Sequence, residues 1–443
     1  MRQIALATAL LLTAAAPVLA QQPLTYDRAA ERALAQNPAV RAARAAADGA
    51  AAGVAEVRAA WFPRLSFTES VRRGDQPVFA FSSLLSARRF TAANFAIDAL
   101  NHPAALTFYQ RTFGIDQVLV DFGRTSATSR TAGYRRDIAD AVIRQTAASI
   151  VVSVANAYGR VLAAEANARS AESAVKAAEE DSARAGHRRD TGTATDADVL
   201  SMHAHLASMR QRVIQASTDA AIARAELNRL MGASVDAPFS VVEPVLPPAD
   251  ATGAGALLAL ADRGRPELAI ARAAQGMAEA QAASAHAGWL PQVAAQAMAE
   301  QDGLSFGNRA TAWTAGLELR WSVSLGGAEA ARTRGAAADL ARARADADDV
   351  KAGVNVDVMT ALARVQSARA RIDASRAAAD EARESQRIIR DRYDAGLAAM
   401  TDVLRASTAL LDAETARVSA LADALAATAA LDRAVGRSPL SSR

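Results

Sequence analysis

The sequence predicts a mixed α-helical and β-barrel membrane protein built from a duplicated helix–strand–strand–helix–helix unit. Three observations carry that prediction. First, residues 123–232 align with residues 327–436 at a constant offset of about 204, so Gly123 meets Gly327, Gly192 meets Gly396, Val199-Leu200 meets Val403-Leu404 and Gly232 meets Gly436. Upstream the offset becomes about 228, where Pro38 meets Pro266 and Trp61-Phe62-Pro63 meets Trp289-Leu290-Pro291. A repeat of this kind makes each half one structural unit. The change in offset leaves one insertion of about 24 residues in the first half, between Val71 and Phe113. Second, long alanine-rich stretches keep helical spacing far beyond what a compact globule needs. Third, one segment alternates apolar and polar residues with tryptophan near each end of its apolar side.

The elements follow in chain order. Met1–Ala20 reads as a secretory leader: Arg2 is the positive end, Ile4–Leu12 the apolar stretch, and Val18 and Ala20 are compact residues ahead of a mature start at Gln21. That apolar run is short for a bilayer-spanning anchor, and no later stretch of about 18 apolar residues is read as a membrane helix. A helix of about 35 residues is predicted over Thr25–Ala60 and again over Ala256–Gly288, with a break or kink at Asn37-Pro38 and Arg265-Pro266. The prolines of the two Trp-containing motifs end it. Two strands per half come next. Leu65, Phe67 and Val71 mark the first and Phe113–Phe122 the second, the latter alternating imperfectly. Val293, Ala295, Ala297 and Ala299 mark the third, and Ala312–Leu325 the fourth.

Helical runs over Gly123–Arg189 and Gly327–Tyr393 then carry seams such as Ile143, Ala147, Ile150, Val154, Ala157, Val161, Ala164 and Ala168, matched by Val354, Val358, Ala361, Val365, Ala368 and Ile372. Alternating three- and four-residue spacing with small side chains means closely approaching coiled-coil helices. Gly192 and Gly396 mark tight turns into return helices that reach Gly232 and Gly436. The expected organisation is a leader (1–20), a first repeat (21–237) with its insertion at 73–112, a Pro-rich linker (238–254), a second repeat (255–436) and a tail (437–443). A run of about 66 residues spans roughly 100 Å as a helix, which the return and opening helices match if stacked end to end. An elongated tube needs helices of that length.

Composition narrows the function classes. Lys176 and Lys351 are the only lysines, and with 50 basic against 47 acidic residues there is no concentrated basic stripe for nucleic acid. The chain has no cysteine, which removes disulfides, thiolate chemistry and an N-terminal lipidated Cys. No acid–base pair, cofactor loop or G-x-S-x-G elbow is present, so no enzyme and no cofactor is expected. His187, His203 and His205 invite a metal reading. However, His203 and His205 are two apart and point in different directions on a helix, so exposed helix residues are the default and no metal is assigned.

Along Ala312–Leu325, Trp313, Ala315, Leu317, Leu319, Trp321, Val323 and Leu325 share one face while Glu318 and Arg320 share the other. Trp313 and Trp321 lie about 26 Å apart along a strand, or about 20 Å once tilted, which suits an outward apolar band with aromatic girdles. A sandwich strand with a buried tryptophan face fits this segment equally well. Four strands, though, are too few to bury both faces of a sandwich or to close a barrel, so a barrel requires several chains. Three would supply twelve strands and twelve helical columns.

The repeated unit, the proline after each first helix, and the motifs Arg392-Tyr393-Asp394-Ala395-Gly396 and Thr401-Asp402-Val403-Leu404 resemble the TolC-type outer-membrane efflux protein family. The resemblance covers nearly all of the chain after the leader. It implies a homotrimer with a 12-stranded barrel in the Gram-negative outer membrane, among its lipids, continued by a periplasmic helical barrel. It also implies a passive exit duct joined through a periplasmic adaptor to an inner-membrane pump for drugs or metal ions. The insertion would join the first two strands at the outer surface. By the same resemblance Asp402 and Asp198 take the acidic helix-tip position that rings the pore, and Tyr393 the gate tyrosine. Gly192 and Gly396 lie in the adaptor-docking turns. Two departures stand out. Arg405 fills the family's second acidic position, so a mixed Asp/Arg ring attracts cations less, and Ala398 replaces the expected arginine, so the gate must be tied differently. Asp402 and Asp198 also suit plain first-turn positions stabilised by the helix dipole. The rival readings are a type I protein-secretion duct and a soluble periplasmic coiled-coil scaffold.

Overall fold

The computed structural model describes residues 23–246 and 252–437. The expected leader, Pro247-Pro248 of the linker and the tail after Arg437 lie outside the described residues. The first half runs α1 (Tyr26–Gln36), α2 (Pro38–Arg58), β1 (Arg64–Gly74), α3 (Pro77–Ser86), α4 (Ile97–Asn101), β2 (Leu106–Val120), α5 (Arg124–Asp190) and α6 (Asp196–Met231). The second runs α7 (Ala254–Gly264), α8 (Pro266–Ala287), β3 (Gln292–Gly303), β4 (Ala310–Arg320), α9 (Ala328–Asp394) and α10 (Met400–Ala434). Among the described residues, α3, α4 and the short 3-10 turns at Ala59–Trp61 and Ala92–Phe95 have no counterpart in the second half.

The opening helix is fully broken in both halves, not merely kinked. Asn37 and Arg265 are extended, with ψ of 129° and 122°, and each following proline takes the first helical position. The Asn37 carboxamide oxygen accepts the Ala39 N–H at 2.8 Å, which makes it the cap of α2.

α5 and α9 are each 67 residues, about 100 Å long. Near the strands the helices lie side by side in the order α2, α5, α8, α9; toward the far end the order is α6, α5, α10, α9. Each long helix therefore backs two shorter ones stacked end to end, giving a wall four columns wide. Gly232 ends α6 at φ +69°, and a Cβ there would fall 2.7 Å from the Gln36 carbonyl oxygen at the end of α1. Gly436 ends α10 in the same conformation, directly against Gly264 and Arg265. The close approach of two helix ends is what these glycines allow.

The main apolar cluster sits at this joint, where Ala29, Ala33, Val154, Tyr158, Val161, Leu227 and Leu425 are buried together. The Tyr158 hydroxyl lies 2.8 Å from Leu24 O and 2.7 Å from Val242 O, holding both incoming segments. A second cluster joins α7, α8, α9 and α10 through Leu257, Leu268, Val354, Val358 and Leu431. One expectation fails here: α5 does contain an apolar stretch long enough to cross a membrane by length and composition. Of the α5 residues, Val151, Val154, Ala155, Ala157 and Val161 are buried at the joint between helices.

Candidate functional site

The four strands form one antiparallel sheet in sequence order. Registered partners share a face. Leu65 faces Ile115, Phe67 faces Phe113, Ile115 faces Ala297, and Ala299 faces Trp313. With Ala315, Leu317 and Leu319 they make one apolar face whose large side chains stand exposed, Leu65 at 75%, Leu317 at 72% and Trp313 at 78%. The opposite face carries Ser66, Ser70, Thr112, Gln296, Thr314 and Glu318. There Glu318 accepts from Gln296 at 2.7 Å and pairs with Arg320 at 2.7 Å. Among the described residues no second sheet covers the apolar face, so the sandwich alternative fails within the chain. The outer edges of β1 and β4 are unpaired in the single chain.

Away from the helices the apolar face gives way to Glu69, bound by Arg111 at 2.7 Å and Arg309 at 2.6 Å, with Arg309 4.8 Å from the Phe306 ring centroid. Toward the helices it ends at Trp321, whose indole N–H donates to Trp289 O at 3.1 Å. Trp313 lies in β4 as expected, but Trp321 does not. The strand stops at Arg320, paired with Gln292, because the neighbouring strand begins there, just after Pro291. Trp321–Leu325 therefore continues beyond the sheet. The imperfect alternation of Phe113–Phe122 also has a cause, a register shift between Val118 and Val120, and β2 starts earlier than expected, at Leu106.

The far ends of the helices form the second candidate region. Gly192 and Gly396, both at φ +74°, close the α5–α6 and α9–α10 turns. Behind them Ala185, Val199, Met202, Met400 and Val403 are buried together, with Tyr393 packed against them. Asp198 accepts from the Thr195 N–H at 2.9 Å and hydroxyl at 2.8 Å, while its own N–H donates to the Thr195 hydroxyl at 3.2 Å. This is a complete capping box, and those donors hold the Asp198 carboxyl below the usual carboxylate range. Asp402 occupies the same place on α10 but faces Ala399, which offers only its N–H at 3.4 Å. Arg405 lies 3.5 Å from Asp402 on the same exposed helix face. The first-turn reading of both aspartates thus has a definite geometry.

Tyr393 is held by a residue the sequence reading missed. The Arg188 guanidinium lies 4.7 Å from the Tyr393 ring centroid and donates to Tyr393 O and Asp394 O, each at 3.2 Å. The repeat register contained the signal: Arg188 sits four residues before Gly192 and Tyr393 three before Gly396, at the same height on neighbouring hairpins. Farther up, the largely buried Asp181 bridges Arg184 at 2.7 Å and Arg390 at 3.2 Å, a second tie between hairpins. A polar groove of about 390 Å³ runs beside it, lined by Ser170, His205, Gln386 and Glu414. His187 and His203 are exposed, whereas His205 is half-buried, and burial pushes its imidazole below the ordinary value. Among the described residues no three His, Asp or Glu side chains are grouped to hold a metal ion.

The model of the family described as outer membrane efflux protein matches residues 29–233 and 257–437. No curated protein sequence matches the chain. Among solved structures, the outer membrane protein VceC of Vibrio cholerae is 21% identical, with a TM-score of 0.75 over 93% of this chain and 96% of that one. The Campylobacter jejuni CmeC outer membrane channel is 14% identical, with a TM-score of 0.81 over 94% and 87%. The Neisseria gonorrhoeae MtrE outer membrane channel, solved in an open state, is 19% identical, with a TM-score of 0.75 over 93% and 88%. The family model spans most of the chain, and a sheet bare on its apolar side joined to 100 Å helices is what such a channel requires; the chain belongs to the outer membrane efflux protein family and is a non-enzymatic transport protein of the outer membrane.

Proposed function

We propose that three copies of this chain close a 12-stranded barrel, β4 of each pairing with β1 of the next, and that the barrel continues into a tube of twelve helical columns across the periplasm. The observation that carries this reading is the sheet itself: it has one exposed apolar face, one polar face and two unpaired edges. Edges and an apolar face of that kind are costly alone and are both satisfied by closure in lipid. The assembly is the passive exit duct of a tripartite efflux system. A periplasmic adaptor docks at the Gly192 and Gly396 turns and links the duct to an inner-membrane pump.

At the tips, Arg188 takes over the tie that Ala398 cannot make. Its hold on Tyr393 and Asp394 fixes the second hairpin against the first, and Asp402 with Arg405 lines the aperture. Threefold symmetry turns each into a ring, whose charge acts strongly in a narrow opening. Conductance of the purified mature protein in a planar bilayer tests the duct and the gate together. Wild type should give stable channels, Arg188→Ala a larger conductance, and Asp402→Ala a lower cation preference. Unchanged conductance in both variants discards the gate while keeping the duct. Failure of the folded protein to insert discards the duct.

A further inference from the structure

The insertion between β1 and β2 does not hang free at the outer end. α3 crosses the polar face of the sheet. Its Phe79 ring stacks edge-on against Phe108 of β2, centroids 6.2 Å apart, and Phe108 belongs to the polar face, where it is only 5% exposed. α3 packs on β3, and the residues it buries are Ala80 and Ser83. Just past its end, the Arg88 guanidinium donates to Thr311 O of β4 at 3.0 Å. A ten-residue helix is about 15 Å long, close to the roughly 14 Å spanned by four strands. α3 with Arg88 therefore reaches over the inner face of the sheet from β2 across β3 to β4. The rest of the insertion stacks on it through Phe81, Phe90 and Phe95, with successive centroids 4.7 and 5.0 Å apart.

The side of α3 opposite its buried residues is bare, and two large apolar side chains flank Ser82 there: Val78 is 73% exposed and Leu85, two turns on, is 57% exposed. In a closed barrel that side points at the axis. Twelve strands about 4.8 Å apart and tilted about 40° enclose a backbone circle roughly 24 Å across. Three helices, each about 10–12 Å wide with side chains, cover most of such an opening.

We propose that the insertion closes the outer mouth of the channel, the α3 helices of three copies meeting on the axis through their Val78 and Leu85 stripes. This rests on the barrel reading above. The occupant of each stripe is the same stripe on the other copies, because the polar face on which α3 lies is the lumen. Asp302, on the same face of β3, is buried with one carboxylate oxygen that makes no hydrogen bond.

The cysteine-free sequence makes the test direct. Thr314→Cys puts one thiol on the polar wall, to be labelled in whole cells with a membrane-impermeant sulfonated maleimide. Labelling should be slow in that background and at least about tenfold faster when Val78→Asp and Leu85→Asp are added, as the open population rises. Equal rates in intact trimers would overturn the closure and leave the barrel standing. Loss of the trimer in both backgrounds would overturn the barrel reading and the closure with it. Leu85→Cys, oxidised in intact cells, should yield disulfide-linked dimers, since copies meeting on the axis come within about 7 Å. Monomers alone would separate the stripes and sink the contact.

Discussion

Where α6 meets α1, the join is neutral: Asn37 caps α2 and donates its amide N–H to Leu230 O at 2.9 Å. Where α10 meets α7, the equivalent residue is Arg265. It is 5% exposed and reaches Asp357 at 2.8 Å, Glu267 at 2.9 Å and Arg433 O at 3.4 Å. The backbone solution is the same in both halves, a glycine at φ +69° backing onto a helix end with a proline starting the next helix. The polar solution differs. An amide satisfies one carbonyl by itself, whereas a buried guanidinium needs counter-charges, and these arrive from α8 and α9. The second joint is therefore tied to more of the molecule, and its loss removes the Asp357 pair and leaves the half-buried Glu267 with Arg433 alone, at 3.7 Å.

The largest effect should come from the feature the joints share. Gly436→Val imposes a left-handed β-branched residue and pushes its side chain into the Gly264–Arg265 backbone, a cost of roughly 2–5 kcal/mol. Loss of the proposed trimer, read by size-exclusion chromatography in detergent, is the expected result. A stable oligomer would mean that the helix ends part freely. Next comes the difference between the joints. Arg265→Ala should cost about 3 kcal/mol and Asn37→Ala about 1 kcal/mol, read by thermal melts in detergent. The reverse order would break the comparison.

The smallest effects lie at the tips, where the halves differ again. Thr195→Ala should lose about 1 kcal/mol and Ala399→Thr gain about 0.5–1 kcal/mol by completing the second box, measured by hydrogen exchange in the first turns of α6 and α10. The Asp198 carboxyl is held below its unfolded value, so its contribution is present above about pH 4 and is lost as pH falls through the lower folded value. The Thr195→Ala penalty should shrink over that range. A penalty independent of pH would remove the carboxylate from the account.

Much of the fold was legible because its punctuation is local. Gly123, Gly192 and Gly232, with their partners Gly327, Gly396 and Gly436, bound α5 and α9 and the ends of α6 and α10 to within two residues, and Pro38 and Pro266 located the breaks. The strands were less so. Nothing inside Trp321–Leu325 ends its alternation, and Thr107, Phe108, Tyr109 and Thr112 favour a strand without fixing where it starts; both boundaries depend on where a neighbouring strand stops or starts. At the tip, Tyr393 and the two aspartates stood in recognisable motifs. Arg188 looked like one more basic residue closing a helix, since its partner lies 205 residues away.

By itself the sequence determined the duplication, the helix lengths and the alternation of β4, because propensity, turn chemistry and periodicity act over a few residues. Only the tertiary structure decided that Arg188 rather than position 398 holds Tyr393, that Arg265 is buried among acids, and that the insertion turns inward onto Phe108. Each is a contact between segments far apart in the chain. Such contacts are fixed by register between elements and by what a buried charge or ring must find there, and no short window of sequence contains them.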